Sequence, residues 1–153
     1  MDSRITSPPF RQLVKQHPYL DLDRVGIFGH SGGGFASARA MLMFPDVYKV
    51  AVSSAGNHDR LGYQFSWGEK YQRPLSGRNV DNQDTAMLAK NVKGKLLLAY
   101  GDMDDNVHPA MTVRLTDALI KANKDYDLLV MPNRNHSFAT DPYCNRRRWD
   151  YCV

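Results

Sequence analysis

The sequence predicts an α/β fold in which helices flank a parallel sheet and one strand runs into a helix through a nucleophile elbow, a sharp turn that presents a serine. Three observations carry this: four short apolar runs, helical periodicity between them, and a glycine-flanked serine where the first run ends. The runs are Val25-Gly26-Ile27-Phe28, Val50-Ala51-Val52, Leu96-Leu97-Leu98-Ala99-Tyr100 and Leu128-Leu129-Val130-Met131. Their hydrophobicity is continuous rather than alternating, the pattern of strands covered on both faces.

After the first run come Gly32, Gly33 and Gly34, and then Phe35, Ala38 and Leu42 recur at helical steps until Pro45 ends the pattern. After the third, Met111, Leu115, Ala118, Leu119 and Ala122 form an apolar stripe. Pro109 suits the first helical position there, because its missing N–H would be unpaired anyway. A last helix opens at Asp141-Pro142 with Asp141 as N-cap. Strands and helices in alternation predict right-handed crossovers between parallel strands. Between Ala55 and about Asp84 the alternation lapses into a stretch holding Asn57, His58, Tyr63, Phe65, Trp67, Gly68, Tyr71 and Pro74. An aromatic-rich stretch without clear periodicity is either an excursion covering a site or another domain, or a surface loop with its own apolar cluster.

A chain of 153 residues is expected to form one folding unit, and 42% hydrophobic and 24% charged residues with 11 Gly and 8 Pro exclude disorder, collagen and coiled coil. No apolar run nears the roughly 18 residues of a spanning helix, and MDSRITSPPF lacks a secretory pattern, which leaves the compartment open. The net charge is +4, and its one dense basic run, Arg146 to Arg148, reads as a solvated helix face rather than a nucleic-acid surface. Cys144 and Cys152 fall about 12 Å apart along one helix, beyond disulfide reach. Neither sits in a C-x-x-C spacing, and no motif calls for a metal or cofactor.

Gly29-His30-Ser31-Gly32-Gly33 matches the G-x-S-x-G elbow, and it follows a strand and opens a helix, the context the motif needs. Glycines on either side remove side chains that would collide in the turn. The helix N-terminus and the Gly32 N–H then point at whatever bonds to the serine oxygen. A serine nucleophile needs a base and a group that orients it, in the chain order Ser, acid, His, each after a later strand. The third strand runs into Gly101-Asp102-Met103-Asp104-Asp105-Asn106-Val107-His108, and the fourth into Pro132-Asn133-Arg134-Asn135-His136. Topology alone does not choose among Asp102, Asp104 and Asp105, although Asp102 and Asp105 suit turn or cap positions. Asp102, Asp104 and Asn106 mimic the start of a calcium loop, but Val107 and Val113 stand where its glycine and closing glutamate belong. Of the other histidines, His17 is expected to be exposed, His30 to point away from the bond attacked, His58 to line a pocket and His108 to cap a helix. His136 leads as base.

The stretches DLDRVGIFGHSGGGFASARAMLMFPDVYKVAVSSAGNHD, KLLLAYGDMDDNVHPAMTVRLTDAL and LLVMPNRNHSF resemble the catalytic domain of prolyl oligopeptidase-family serine peptidases, in particular the dipeptidyl peptidase IV branch, over roughly residues 10–151. The resemblance implies a partial α/β-hydrolase fold and peptide cleavage after proline or alanine through an acyl-enzyme. Carried over by position, Ser31 is the nucleophile, Asp104 the acid, His136 the base and Gly32 the oxyanion donor. Tyr63 and Trp67 fall on the two tyrosines of the family's proline pocket, Val107 on a further wall and Asn106 on a substrate-contacting amide. Arg60 stands where that pocket has a tryptophan, and Trp67 replaces a tyrosine, so the pocket departs from the family at two positions.

The same resemblance implies that the propeller and the first half of the hydrolase domain, with its second oxyanion donor, are absent from these 153 residues. The elbow strand is then expected to form a sheet edge. The chain alone is expected to be weak or inactive, and to need a missing N-terminal segment or a second copy of itself. Two alternatives stand beside a peptidase: an esterase on the same fold, and a non-catalytic remnant.

Overall fold

Leu96, Leu97 and Leu98 are all buried, although neighbouring residues of a strand face opposite sides of a sheet. Their strand therefore carries a packed layer on each side. In the computed structural model, which describes residues 7–59, 62–72 and 84–153, it is the third of four parallel strands. These are β1 (Val25–His30), β2 (Tyr48–Ser54), β3 (Lys95–Gly101) and β4 (Asp127–Met131). Spatial order follows chain order, with Ile27 beside Ala51, Ala51 beside Leu96, and Leu98 beside Leu128.

The helices are α1 (Ser7–Gln16), α2 (Gly32–Met43), α3 (Phe65–Gln72), α4 (Ala110–Lys121) and α5 (Pro142–Cys152). On one face of the sheet, Ala38, Met41 and Leu42 of α2 and Leu115 and Leu119 of α4 pack on Ala51, Leu96 and Leu98. Ala89, from a 3-10 stretch at Thr85–Asn91, joins them. On the other face, Phe138 and Cys144 pack on Ala55, Ala99 and Met131. The Asp141 carboxylate accepts the Tyr143 N–H and Pro142 fills the first turn, so α5 starts as its sequence predicts. Helix α4 starts one residue later than expected: Pro109 is its N-cap, and His108 Nδ1 accepts the Ala110 N–H at 3.2 Å.

The continuous runs overstate cover at the two edges of the described sheet. Phe28 on β1 is 46% exposed and Leu128 on β4 is 43% exposed, because an edge strand has a neighbour on one side only. The arginine run is not wholly solvated either: Arg148 lies over the rings of Phe28 and Trp149, at 4.6 and 5.2 Å, while Arg146 pairs with Asp150. The aromatic excursion contains α3, whose Trp67 packs against Tyr63 and Tyr71 at 5.7 and 5.1 Å. That spacing of four residues is helical, and it is diluted in the sequence by Gly68 and by the polar residues between the rings. Arg60 and Pro74 lie outside the described residues.

The loop leaving β2 is polar and buried. His58 donates from Nε2 to Ser53 Oγ at 3.2 Å, and Ser53 Oγ donates to the Gly34 carbonyl at 2.8 Å. Asp59 pairs with Arg114 of α4, and the His58 carbonyl accepts the Thr85 N–H. Instead of lining an open pocket, His58 is a tie between β2 and α2. Burial pulls its pKa from 6.5 to about 3.

Two predictions follow from this packing. Leu98→Ala should destabilise the chain by about 2–5 kcal/mol in urea unfolding, since Leu98 is fully enclosed between β3 and the helices above it. Because folded His58 stays neutral while unfolded His58 protonates below 6.5, its contribution to stability is present at neutral pH and is lost as pH falls from 6.5 toward 3. His58→Gln should therefore show a shallower acid limb of stability against pH than the parent chain. Equal slopes would show that His58 protonates in the folded state.

Candidate active site

All four strands are parallel, so the loops after their carboxyl ends share one rim of the sheet. Ser31 follows β1 there, with φ 57° and ψ −124°, outside the regions that L-residues prefer. Its N–H donates to the Ser54 carbonyl at 2.9 Å, and its own carbonyl accepts the Phe35 N–H at 3.0 Å. The turn is tight enough that a Cβ on Gly29 would lie 2.3 Å from the Gly33 carbonyl oxygen. The reason for Gly33 differs from the sequence expectation. A side chain there would meet nothing within 4 Å, so of the two glycines that flank the serine in the motif, Gly29 alone is demanded by sterics.

Asp104 and His136 meet Ser31 at this rim. His136 Nε2 is 2.9 Å from Ser31 Oγ, and His136 Nδ1 is 2.8 Å from Asp104 Oδ2. The other Asp104 oxygen accepts the N–H groups of Asn106 and Val107 at 3.0 and 2.8 Å. A carboxylate offers acceptors only, so the His136 proton sits on Nδ1 and Nε2 is left to accept from Ser31. Asp104 is buried, with its side chain closed to solvent, whereas Asp102 and Asp105 are exposed. Geometry thus separates the three aspartates that topology alone leaves open.

Gly32 is the first residue of α2, and the Trp67 indole lies over it: a Cβ on Gly32 would sit 3.0 Å from the ring. Tyr63 donates from its hydroxyl to Asn106 Oδ1 at 2.9 Å, which links the aromatic stretch to the acidic loop. Burial first, and then the Asp104 charge, raise the Tyr63 pKa. The Val107 side chain is buried, and its N–H holds Asp104. Tyr63, Trp67, Asn106 and Val107 are therefore gathered beside Ser31, Asp104 and His136.

The other histidines divide. His17 is exposed and His108 caps α4. The His30 ring does not turn away from the site: its centroid is 4.9 Å from that of His136. The sequence signal for this placement is the alternation of β1, which puts residue 30 on the same face as its register partner Ser54. Among the described residues, no group of three His, Cys, Asp or Glu side chains is placed to hold a metal ion. No described helix is long and apolar enough to cross a membrane.

Comparison with known proteins yields consistent matches. The model of the prolyl oligopeptidase family matches residues 10–151. Dipeptidyl peptidase 8 of Mus musculus is 35% identical over 134 residues, covering 82% of this chain and 15% of the relative. Dipeptidyl peptidase family member 1 of Caenorhabditis elegans is 35% identical over 125 residues, covering 79% and 15% respectively. Among solved structures, Porphyromonas gingivalis dipeptidyl peptidase 4 superposes with a TM-score of 0.83 at 27% identity, over 92% of this chain and 21% of that one. The chain thus spans about 15% of the length of these curated relatives. The parallel sheet and flanking helices are those of the α/β-hydrolase domain of such dipeptidyl peptidases. With a family match across nearly its whole length, this chain belongs to the prolyl oligopeptidase family of serine peptidases.

Proposed function

We propose that the chain carries the catalytic machinery of a serine peptidase, with Ser31 as nucleophile, His136 as general base, Asp104 as its orienting acid and Gly32 as backbone oxyanion donor. The observation that supports this most is the pair of hydrogen bonds, 2.9 and 2.8 Å long, that joins Ser31 to His136 and His136 to Asp104. In the proposed step Ser31 Oγ attacks a peptide carbonyl carbon while its proton passes to His136 Nε2. Negative charge gathers on the carbonyl oxygen beside the Gly32 N–H at the start of α2, where the helix dipole favours it. His136 then gives the proton to the departing amine, leaving an acyl-serine. Water, deprotonated by the same ring, clears the ester and restores Ser31.

Asp104 holds the tautomer and stabilises the imidazolium that forms. Its buried carboxylate is held in place against the ring by two backbone N–H groups and the imidazole. Tyr63 packs on Trp67 and donates to Asn106, and Val107 beside Asn106 holds Asp104 through its N–H. We propose that they receive a proline or alanine side chain. With one oxyanion donor in the proposed site, turnover by these 153 residues alone is expected to be lower by about 10²–10³ than with two.

Two experiments test this reading. A fluorophosphonate probe should label the purified chain on Ser31, as located by peptide mass mapping. Ser31→Ala should abolish the label, and Asp104→Asn should slow it by roughly 10³–10⁴-fold through the wrong imidazole tautomer. Labelling that survives in Ser31→Ala would place the nucleophile elsewhere. Parallel assays on an Ala-Pro amide and on p-nitrophenyl acetate should show Ser31-dependent amide cleavage, and ester cleavage alone would make the site an esterase.

A further inference from the structure

His30 occupies the last position of β1, immediately before Ser31. Its register partner is Ser54 of β2, so both side chains leave the sheet on one face. There His30 Nδ1 lies 3.0 Å from Ser54 Oγ, which also reaches the Gly29 carbonyl at 3.1 Å. Two rings enclose the His30 ring: Phe138 edge-on at 5.3 Å, and His136 tilted at 4.9 Å between centroids.

The hydrogen bonds of His136 to Asp104 and Ser31 leave from its two ring nitrogens. Such a pair fixes the line joining the two nitrogens but leaves the ring able to rock about it. The Nε2 lone pair lies in the ring plane, so rocking swings it off Ser31 Oγ and weakens the bond. The tilted contact with the His30 ring, 4.9 Å between centroids, opposes that rocking.

We propose that His30, tethered to Ser54 and backed by Phe138, is a positioning residue that fixes the ring plane of His136 and keeps Nε2 aimed at Ser31. The proposal rests on reading Ser31 and His136 as nucleophile and base. It also gives the elbow histidine a reason to be histidine, since a purely apolar ring has no bond to Ser54 with which to lock its own rotation. Burial, and next the positive charge that His136 can carry, lower the His30 pKa; the His136 backbone and the Asp104 charge act the other way. A neutral His30 does not repel the imidazolium that His136 becomes when it takes the serine proton.

The test uses the full chain with His30→Phe, Ser54→Ala, the double variant and His30→Gln. Two quantities are read: the rate at which a fluorophosphonate probe labels Ser31, and the low-field proton resonance of the His136 Nδ1–Asp104 hydrogen bond, which needs no turnover. Thermal melting reports folding. His30→Phe and Ser54→Ala should each slow labelling by about tenfold and shift or broaden the resonance. The double variant should be no slower than the worse single, because the two groups act as one unit. His30→Gln, whose amide can still reach Ser54, should recover part of the rate. The proposal falls if either folded single variant keeps the parent's rate and resonance, or if the two losses multiply in the double. It falls too if the parent chain shows no low-field resonance, since the ring is then not fixed. A parent that shows the resonance yet never labels counts against the proposed function alone, and the resonance comparison among variants then decides the role of His30.

Discussion

The approach of the Gly29 Cα to the Gly33 carbonyl, too close for any side chain, is the contact on which the rim of the sheet depends. It folds β1 back into α2 within one residue and forces Ser31 to positive φ, a conformation that costs of order 1–3 kcal/mol. The surrounding structure holds that strain. Ser31 N–H is bonded to Ser54 of β2, Ser53 donates to Gly34, and His58 donates to Ser53. β2 is itself enclosed, with Ala51 and Val52 buried on opposite faces. The hydrophobic interior thus fixes β2, β2 fixes the elbow through polar contacts, and the elbow holds the serine hydroxyl outward.

A second constraint places Asp104 and His136. The loops after β3 and β4 interlock through backbone bonds, Met103 N–H to the Arg134 carbonyl and Asp102 N–H to the Met131 carbonyl. Gly101 permits this, because a Cβ there would lie 2.2 Å from the Arg134 oxygen. Asp104 therefore meets His136 through main chain already locked together, and little side-chain entropy is lost in aligning them. Two residues beyond His136, Phe138 is buried among Ala55, Ala99, Met131 and Cys144. His136 is thus held from both sides, by the interlocked loop before it and by a core anchor after it.

Much of this was legible in the sequence because it follows from local rules. Continuous apolar runs gave the four strands, Pro45 and Asp141-Pro142 marked helix ends, and the glycine-flanked serine named the elbow. What was missed needed information that lies outside a short window. The exposure of Phe28 and Leu128 depends on which strands are edges, and strand order is set by pairing rather than by composition. Topology left Asp102, Asp104 and Asp105 open, and the family resemblance pointed to Asp104, because a short window does not show which carboxylate the loop turns inward. His58 looked available for a pocket because it sits in the aromatic-rich stretch, which carries no sign that its partner comes from β2. Helix α3 was readable in principle from Trp67 and Tyr71 at a step of four, but its eight residues give periodicity little room to show.

Position 30 is subject to both constraints. Its residue type is free as far as the elbow turn is concerned, since the steric demand falls on Gly29 and the strained backbone on Ser31. Its direction is not free, because the register with Ser54 points it at the face where Phe138 and the His136 loop pack. A side chain there must therefore fit a half-buried space between a core aromatic and a polar ring. Histidine satisfies both neighbours, with an edge contact to Phe138 and a polar nitrogen for Ser54. The sheet register that builds the fold thus also decides which side chain stands beside His136.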